Sequence, residues 1–401
     1  MDVEEIGRRL GVGALVEGSV RKSGDRLRVT AQLINTVSRY HLWSHTYDRE
    51  MRDVFAVQDE ISRAIVNALR VQLGAGHPLV RQATENLDAY NLYLKGRYQF
   101  NRYSREGVMK AIDCFNQAAQ ADPNYAPAYA MLASAYSLIG YYREAPAGVV
   151  WPKAKAAAEK AIALDDSLAE AHSSLGYAKG IHDWDWGGAE QEFRRAIELN
   201  PNSADAHCGY ALICLIPTGR LDGALVEAKK ALELDPVFVI NNLAAAQVYF
   251  VRHNYDQAIE QYRKTLDLNQ NLPDTWGDLG MVLAFQGRRA EAIAAFEKQS
   301  SIGSGKAELG ATEYALLGER DKAEADYARL DEAAKQQYLR PIDVARLSSL
   351  LGHNDAAFAW LEKAFTERDP QLIWLKVDPR FDPIRGDARF AGYLKRLGLA
   401  N

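Results

Sequence analysis

The fold of this chain is decided by stretches such as residues 189–201, which read AEQEFRRAIELNP. Ala189, Phe193 and Ala196 follow one another at intervals of four and three residues, so a helix places them on one face. The two alanines leave room for a second helix to approach, and the phenylalanine fills the remaining gap. Pro201 cannot continue the hydrogen-bond ladder of a helix and therefore ends it. The stretch predicts the second helix of a closely packed helical hairpin.

The same pattern recurs along the chain at a nearly constant period. Its first alanine returns after 35, 34, 34, 31 and 34 residues, at Ala189, Ala224, Ala258, Ala292, Ala323 and Ala357. Helix-ending prolines fall at one phase of this period, which an irregular helical bundle does not explain: Pro123, Pro201 and Pro236. A period of about 34 residues is typical of tetratricopeptide repeats. We therefore predict a mainly α fold, a tetratricopeptide α-solenoid of about seven to eight hairpins preceded by a small partial α/β domain.

The first 76 residues follow a different pattern, which predicts a helix, three strands and a second helix. Residues 3–10 read as a helix ended by Gly11, and apolar residues alternate with polar ones from Leu27 to Leu33, as in a half-buried strand. Three short strands leave a bare sheet edge, so we expect that something upstream is missing. The predicted domains are 1–76 (partial α/β domain), 77–88 (linker), 89–373 (repeat solenoid) and 374–401 (C-terminal cap).

Composition argues against several classes of function. Apolar residues make up 48% and charged residues 25% of the chain, and the net charge of −5 gives no basic face for nucleic acid. No run of about 18 apolar residues predicts a membrane span. The three cysteines have neither zinc-site nor disulfide-framework spacing. We expect no nucleic-acid or membrane partner and a cytoplasmic location, or a periplasmic one if a membrane segment lies upstream in the native polypeptide.

Residues that could carry catalysis or bind a metal have simpler explanations. The glycines at 11 and 13 precede a predicted strand, whereas a phosphate-binding loop follows one. His41 and His45 share one face of a strand, where surface packing is favoured over metal binding. Residues 182–185, His-Asp-Trp-Asp, fall in a hairpin turn, where aspartate caps and tryptophan packs. No kinase, hydrolase-elbow or zinc-protease motif occurs, so the sequence predicts no enzymatic activity, no cofactor and no metal.

Several segments resemble a known family. Residues 15–21, 28–34, 41–43 and 47–49, with 55–61 as a closing helix, resemble the second half of the TolB-like N-terminal domain of bacterial signalling proteins. The repeats resemble the array that follows that domain, notably at 183–186 and 376–383. The first strand and helix of the family domain have no match. In that family the pair follows a serine/threonine kinase, a nucleotide cyclase or a winged-helix DNA-binding domain, so the resemblance implies a role in signalling.

We place a partner-binding groove on the first helix of each repeat, at the second, fifth, ninth, twelfth and thirteenth positions of the period. In repeats four to six these positions include Ala284 and nine candidate groove residues, most of them apolar: Leu212, Leu215, Ile216, Leu243, Gln247, Phe250, Val251, Met281 and Phe285. Such a surface predicts binding of an amphipathic helix or an extended apolar segment, and an upstream domain of the same polypeptide is one candidate. The alternative is that these side chains only pack between helices.

The sequence leaves three interpretations of function, because a fold alone does not fix one. The first is a non-catalytic protein–protein interaction scaffold or adaptor in bacterial signalling, with a protein or peptide as partner. The alternative is the regulatory C-terminal part of a serine/threonine kinase, an adenylate cyclase or a winged-helix transcription regulator whose effector domain is absent. The third is a structural adaptor for an envelope assembly.

Overall fold

The computed structural model describes residues 2–50, 53–69, 83–102, 104–141, 147–304, 309–336 and 338–400. The chain divides into two compact units. One consists of Met1–Leu94 with Gln117–Tyr125, and the other of Lys95–Asn116 with Ala126–Asn401. The first contains a small sheet and the second contains most of a helical array, which confirms the predicted fold class.

The first unit contains a three-stranded antiparallel sheet in the order β1-β2-β3. The strands follow helix α1, which ends at Gly11 with a φ of 66°, a left-handed conformation that glycine adopts without strain. The elements in chain order are α1 (Val3–Leu10), β1 (Ala14–Ser23), β2 (Arg26–Asn35), β3 (His41–Glu50) and α2 (Val54–Ala68). The predicted helix, three strands and helix are therefore all present.

One face of this sheet is apolar, but only its central part is covered. Leu27 and Leu33 of β2 are buried, and Leu27 packs with Val54 of α2. Strand β1 pairs antiparallel with β2 and places Val16 opposite Leu33. Val16 and Val20 of β1 nevertheless stay 56% and 68% exposed. Strand β1 therefore presents an uncovered apolar stripe at the edge of the sheet.

The array consists of eight helical hairpins in the described part of the chain. The first helices of the hairpins are α3 (Leu87–Phe100), α5 (Ala126–Tyr141), α7 (Ala169–Ala178), α9 (Ala204–Gly209), α11 (Val239–Val251), α13 (Pro273–Phe285), α15 (Ala311–Leu316) and α17 (Pro341–Leu351). The second helices are α4 (Arg105–Ala121), α6 (Ala147–Leu164), α8 (Trp186–Leu199), α10 (Leu221–Leu234), α12 (Tyr255–Leu268), α14 (Arg289–Ser304), α16 (Arg320–Gln336) and α18 (Asn354–Thr366). None of the described helices combines the length and the apolarity that crossing a bilayer requires.

Small residues set the distance between the two helices of a hairpin. Ala189, Phe193 and Ala196 of α8 are fully buried, as their spacing predicts. A Cβ atom added to Gly280 of α13 would lie 2.5 Å from the ring of Phe296 on α14. Glycine is therefore needed where the aromatic ring of the second helix meets the backbone of the first.

Two of the first helices contain an extra residue. Helix α7 continues into a π-helical turn at Lys179–Asp183, and α9 continues into another at Tyr210–Leu215. A π turn accommodates one additional residue within a helix, which accounts for the interval of 35 residues between Ala189 and Ala224. After such a turn, a position that is counted from the regular period is displaced by about one residue. Ile216 follows the second π turn and is affected in this way.

Beyond the eighth hairpin the chain forms two 3-10 helices, Pro370–Trp374 and Pro379–Ile384, and then α19 (Ala388–Arg396). Each of these elements begins after an aspartate whose carboxylate accepts a hydrogen bond from the backbone N–H two residues later, as a helix cap does. The side chains of this region form one apolar core with α17 and α18, which includes Leu372, Leu375, Phe381, Ile384, Phe390 and Leu397.

Candidate binding surface on the first helices

The nine positions predicted for the groove fall into two groups by exposure. Leu243, Gln247 and Phe285 are part-buried. The remaining six are buried: Leu212, Leu215, Ile216, Phe250, Val251 and Met281. The eight apolar ones belong to, or pack against, one cluster that runs through repeats three to six. A partner-binding role stays a prediction for this face, and only the part-buried group offers side-chain surface in the described structure.

One cause of this burial is the chain's own C-terminal region. Residues 370–385, here called the docked segment, place Ile373 fully buried within the same cluster, and Trp374 and Val377 pack against it. Val251 of α11 and Val377 line one small cavity of about 190 Å³. These residues lie far apart in sequence and carry no periodic signal, so the repeat pattern did not predict that they meet.

Next to the start of the docked segment lies a cluster of side chains, here called the aromatic clasp. It consists of Trp184, Trp186, Phe365 and Arg368. The rings of Trp184 and Phe365 have centroids 4.6 Å apart, and the Arg368 guanidinium lies 4.5 Å from the centroid of the Trp184 ring. The indole N–H of Trp186 donates to the backbone carbonyl of Leu397 at 2.7 Å. The clasp therefore joins the turn of the third hairpin to the C-terminal end of the chain.

A buried ionic network holds the docked segment to the eighth hairpin. The Asp378 carboxylate accepts hydrogen bonds from Arg346 Nε at 2.8 Å and from Nε and Nη2 of Arg380, also at 2.8 Å. Burial alone raises the pKa of Asp378, but the two guanidinium groups outweigh it and hold this pKa well below its ordinary value. On α13, burial raises the pKa of Asp278 to about 7, although the charge of Arg380 acts in the opposite direction.

Different side chains at the fourth position of four consecutive first helices form the same hydrogen bond. A side-chain nitrogen at this position donates to the backbone carbonyl six residues earlier, at 3.1, 3.1, 2.9 and 3.0 Å, from His172, His207, Asn242 and Trp276. The bond ties the start of each first helix to the loop before it. An imidazole, an amide and an indole therefore fill the same structural position.

In repeats three and four the other imidazole nitrogen faces a glutamate. His172 Nδ1 lies 2.7 Å from Glu192, and His207 Nδ1 lies 2.5 Å from Glu227. Both nitrogens of each ring then face acceptors, so each ring makes both bonds as a donor only when it is protonated at both nitrogens. Burial lowers the pKa of His172, but its bonds to Glu192 and to a carbonyl raise it overall; for His207 the bond to Glu227 is the main cause of a raised pKa.

Sequence reasoning missed these histidine–glutamate pairs, although a signal exists. In both repeats the glutamate follows the histidine by 20 residues, which is the distance from the first helix to the facing turn of the second. In repeat five a neutral pair replaces them, in which Gln261 donates to Asn242 at 2.7 Å. These pairs stabilise the hairpins, and their residues are not among the predicted groove positions.

The side chains for which catalysis or metal binding was considered and not expected make structural contacts in the fold. The ring of His45 packs edge-on against that of Tyr47, with centroids 4.6 Å apart. Asp185 caps α8 by accepting a hydrogen bond from Gly188 N at 2.9 Å, which confirms the capping prediction. The cysteines are buried, and burial raises the pKa of Cys214 to about 12. Within the described ranges, no three His, Cys, Asp or Glu side chains converge to hold a metal ion.

Comparison with known proteins places the repeats in a family. A family model for the tetratricopeptide repeat matches residues 185–237 and 243–304. All nine predicted groove positions lie within these ranges, on α11, on α13 and on the π-helical continuation of α9 or directly after it. Both the period and the helical hairpins therefore agree with the family model.

Two kinds of relatives resemble larger parts of the chain. "Putative adenylate cyclase 3" of Rhizobium meliloti is 36% identical over 183 residues, which cover 44% of this chain and 31% of that protein. Among solved structures, the human IFIT1 dimer with PPP-AAAA aligns over 85% of this chain and 77% of its own, with 14% identity and a TM-score of 0.51. A tetratricopeptide repeat protein from Parabacteroides merdae aligns over 68% and 99%, with 16% identity and a TM-score of 0.42.

These similarities cover different shares of the proteins and support different conclusions. The chain spans about a third of the length of the Rhizobium protein, and the structural likeness to IFIT1 concerns the fold alone. The resemblance of the N-terminal segment to a TolB-like domain stays a prediction. Residues 185–237 and 243–304 are tetratricopeptide repeats, and the helical array that contains them is a tetratricopeptide solenoid, a fold consistent with a protein-interaction scaffold.

Proposed function

We propose that this chain is a non-catalytic scaffold that binds a peptide or a partner domain on the inner face of its first helices, in bacterial signalling. The observation that carries the proposal is the tetratricopeptide array itself, in which apolar side chains of the first helices of repeats three to six belong to one cluster. Its accessible part consists of Leu243, Gln247 and Phe285. The proposed compartment is the cytoplasm, or the periplasm if a membrane segment precedes these residues in the native polypeptide.

One polar atom on this face supports the choice of a peptide ligand. The side-chain oxygen Oε1 of Gln247 is buried and has no hydrogen-bond partner among the described residues. An unsatisfied buried acceptor destabilises a fold by roughly 1–3 kcal/mol. A backbone N–H of an incoming extended segment meets this buried oxygen once the Gln247 side chain turns outward, and apolar side chains of that segment would pack beside Leu243 and Phe285.

The experiment that tests the scaffold compares three variants of the full chain as baits in a bacterial lysate. The double variant Leu243→Asp with Phe285→Asp places charge on the accessible face. The matched control Val226→Asp changes a residue of α10 that is 66% exposed and does not belong to the predicted groove. We expect quantitative mass spectrometry to find partners that the parent and the control retain and the double variant loses, while its melting temperature changes little.

Two outcomes would count against the scaffold. If the double variant melts far below the parent, Leu243 and Phe285 are core residues and the groove hypothesis fails. If all three baits retain the same proteins, the inner face does not select them.

A second candidate function is the regulatory part of an adenylate cyclase. The likeness to the Rhizobium protein, at 36% identity over 31% of its length, favours it. An antibody raised against the repeats distinguishes the candidates on a blot of host lysate. A band at the mass of 401 residues supports a separate scaffold, whereas a much larger band supports a regulatory region attached to an effector. In either case we expect the present chain to form no cyclic AMP from ATP.

A further inference from the structure

The C-terminal region has two apolar sides that belong to different cores. Leu372 and Phe381 are fully buried in a core formed with α17 and α18. Its buried members all lie within residues 341–399, here called the closing body, and Trp184 and Trp186 of the third hairpin pack against it. Ile373 belongs to the other core, because it is fully buried in the cluster of repeats three to six. The closing body therefore has a core of its own and a separate contact with the inner face.

We propose that the closing body is a lid that shuts on the inner face of repeats three to six, so that a partner reaches the buried part of this face only after the lid opens. The proposal rests on the proposed function of that face as a binding surface. The occupant of the closed state is the docked segment, and the ligand of the open state is an extended apolar segment that replaces Ile373 and Val377.

The contact between the lid and the inner face is less complete than the cores on either side. A cavity of about 190 Å³ separates part of the two surfaces, lined by Val251 and His253 on one side and by Lys376 and Val377 among others on the second. The indole N–H of Trp184 in the clasp is buried without a hydrogen-bond partner in the described structure. A pocket open to solvent and an unsatisfied donor make this contact weaker than a close-packed core, so we expect this interface to open before either core does.

The hairpin that precedes the closing body provides a joint. Helix α15 has six residues, and none of them is buried. Its Ala311, Tyr314 and Ala315 pack, part-buried, against the cluster that contains Leu347 and Leu351 of α17. A helix without fully buried side chains marks a region that opens at low free energy. The lid can therefore move as one body with its own core intact, which a partner-binding switch requires.

The charges at the interface make the closed state sensitive to single side chains. Arg368 stacks on Trp184 at 4.5 Å and also donates to the carbonyl of His182. It thus connects the start of the docked segment to the turn of the third hairpin. Arg389 makes equivalent contacts inside the closing body, since it stacks on Phe358 at 4.1 Å and pairs with Asp355 at 2.8 Å.

Hydrogen exchange of the full chain tests the lid directly. We expect Arg368→Ala to accelerate amide exchange in residues 370–385 and in α11 by about tenfold or more, the loss expected for a desolvated cation–π contact with its hydrogen bond. The matched control Arg389→Ala should leave exchange in α11 at the parent rate, because its contacts lie inside the closing body. Trp186→Phe, which removes only the bond to Leu397, should give the same pattern as Arg368→Ala with a smaller change.

A binding measurement asks whether opening frees the surface. The probe is a fluorescein-labelled synthetic peptide with the sequence of residues 368–386, followed by fluorescence anisotropy. We expect saturable binding to Arg368→Ala that is at least about tenfold tighter than to the parent or to Arg389→Ala, because the parent face is already occupied. Equal binding to all three proteins, or acceleration of exchange throughout the array instead of at the lid, would overturn the proposal.

The two proposals fail in different ways. Opening in exchange together with peptide binding, but without any lysate partner selected by Leu243 and Phe285, leaves the lid standing and removes the scaffold function. Partner selection by those residues, with no effect of Arg368→Ala on exchange or binding, removes the lid and leaves the scaffold.

Discussion

The two ends of this chain treat their apolar surface in opposite ways. At the C-terminal end, Leu397 and Leu399 are 0% and 2% exposed, and a buried ionic network locks the turn before them. At the N-terminal sheet, Val16 and Val20 of the edge strand stay 56% and 68% exposed. Both regions follow the apolar pattern that burial requires, yet only one of them finds cover within the described residues.

The difference teaches where the stability of this chain resides. An array of hairpins must bury the apolar face of its last repeat, and here 3-10 turns and charges do so. A bare strand edge adds no buried area and offers unpaired backbone groups. Substitutions should therefore be costly at the C-terminal end and nearly silent on β1, and four experiments order these effects from the largest to the smallest.

The largest effect is expected for Asp378→Asn. The change keeps the shape of the side chain but leaves Arg346 and Arg380 without their shared counter-charge, and breaking a buried pair in this way costs about 3–5 kcal/mol. Urea denaturation of parent and variant measures it. The control Asp387→Asn alters a similar cap that is more exposed, at 24%, and should lose much less. Equal losses would show that the buried network is no stronger than a surface cap.

A smaller loss is expected for Trp186→Phe. The variant keeps an aromatic ring but leaves the Leu397 carbonyl without its donor, and an unsatisfied part-buried acceptor costs about 1–2 kcal/mol. Thermal unfolding followed by circular dichroism measures the change. The control Trp276→Phe removes an indole bond to Gln270 at 3.0 Å that is exposed, so water can replace it. A loss as large in the control would mean that ring packing, not the bond, matters.

The third prediction concerns Asp278 and pH. The pKa of Asp278 in the folded state, about 7, lies above its ordinary value of 3.8. Between these two pH values the carboxyl group is protonated in the folded state and ionised in the unfolded state. The stabilisation from this proton is complete below about pH 4 and is lost as pH rises to about 7. Because the side chain is part-buried, Asp278→Asn should gain about 1–2 kcal/mol at pH 8 and nothing near pH 4. Urea midpoints at these two pH values measure it; a gain that is the same at both would contradict the raised pKa.

The smallest effect is expected for Val16→Thr combined with Val20→Thr. Both side chains are exposed, so the free energy of unfolding should change by less than about 0.5 kcal/mol. The neighbour of Val16 across the strand pair, Leu33, is 2% exposed, and Leu33→Ala should cost about 2–4 kcal/mol. Chemical denaturation of the three proteins gives the comparison. A large loss in the double valine variant would indicate that something in the chain covers β1.

The sequence predicted the elements of this fold more completely than their contacts. The 34-residue period and the packing of Ala189 and Phe193 follow from local spacing, as does the helix end at Gly11. The π turns were visible only as an interval of 35 residues and became interpretable with the structure. Local spacing is what a sequence pattern contains, and these features depend on little else.

The candidate site depended on contacts that no local pattern contains. The predicted groove positions are on the first helices, but Val251 and Met281 are buried because helices and the docked segment close around them. Ile373 meets this face only through the stacking of several repeats. The ionic network of Asp378 likewise joins residues that are distant in sequence, so its partners could not be chosen from the aspartate-rich tail alone.

The side chain at the fourth position of each first helix gives the array a chemical gradient along its length. His172 and His207 each need an additional proton to satisfy their glutamate and carbonyl partners, whereas Asn242 and Trp276 make the corresponding bond without one. The raised pKa values of the two histidines mean that this stabilisation is present at acidic pH and is lost as pH rises through the folded pKa. A pH above the folded pKa of these histidines therefore loosens repeats three and four while repeats five and six keep their bonds, so units that share one geometry respond differently to pH.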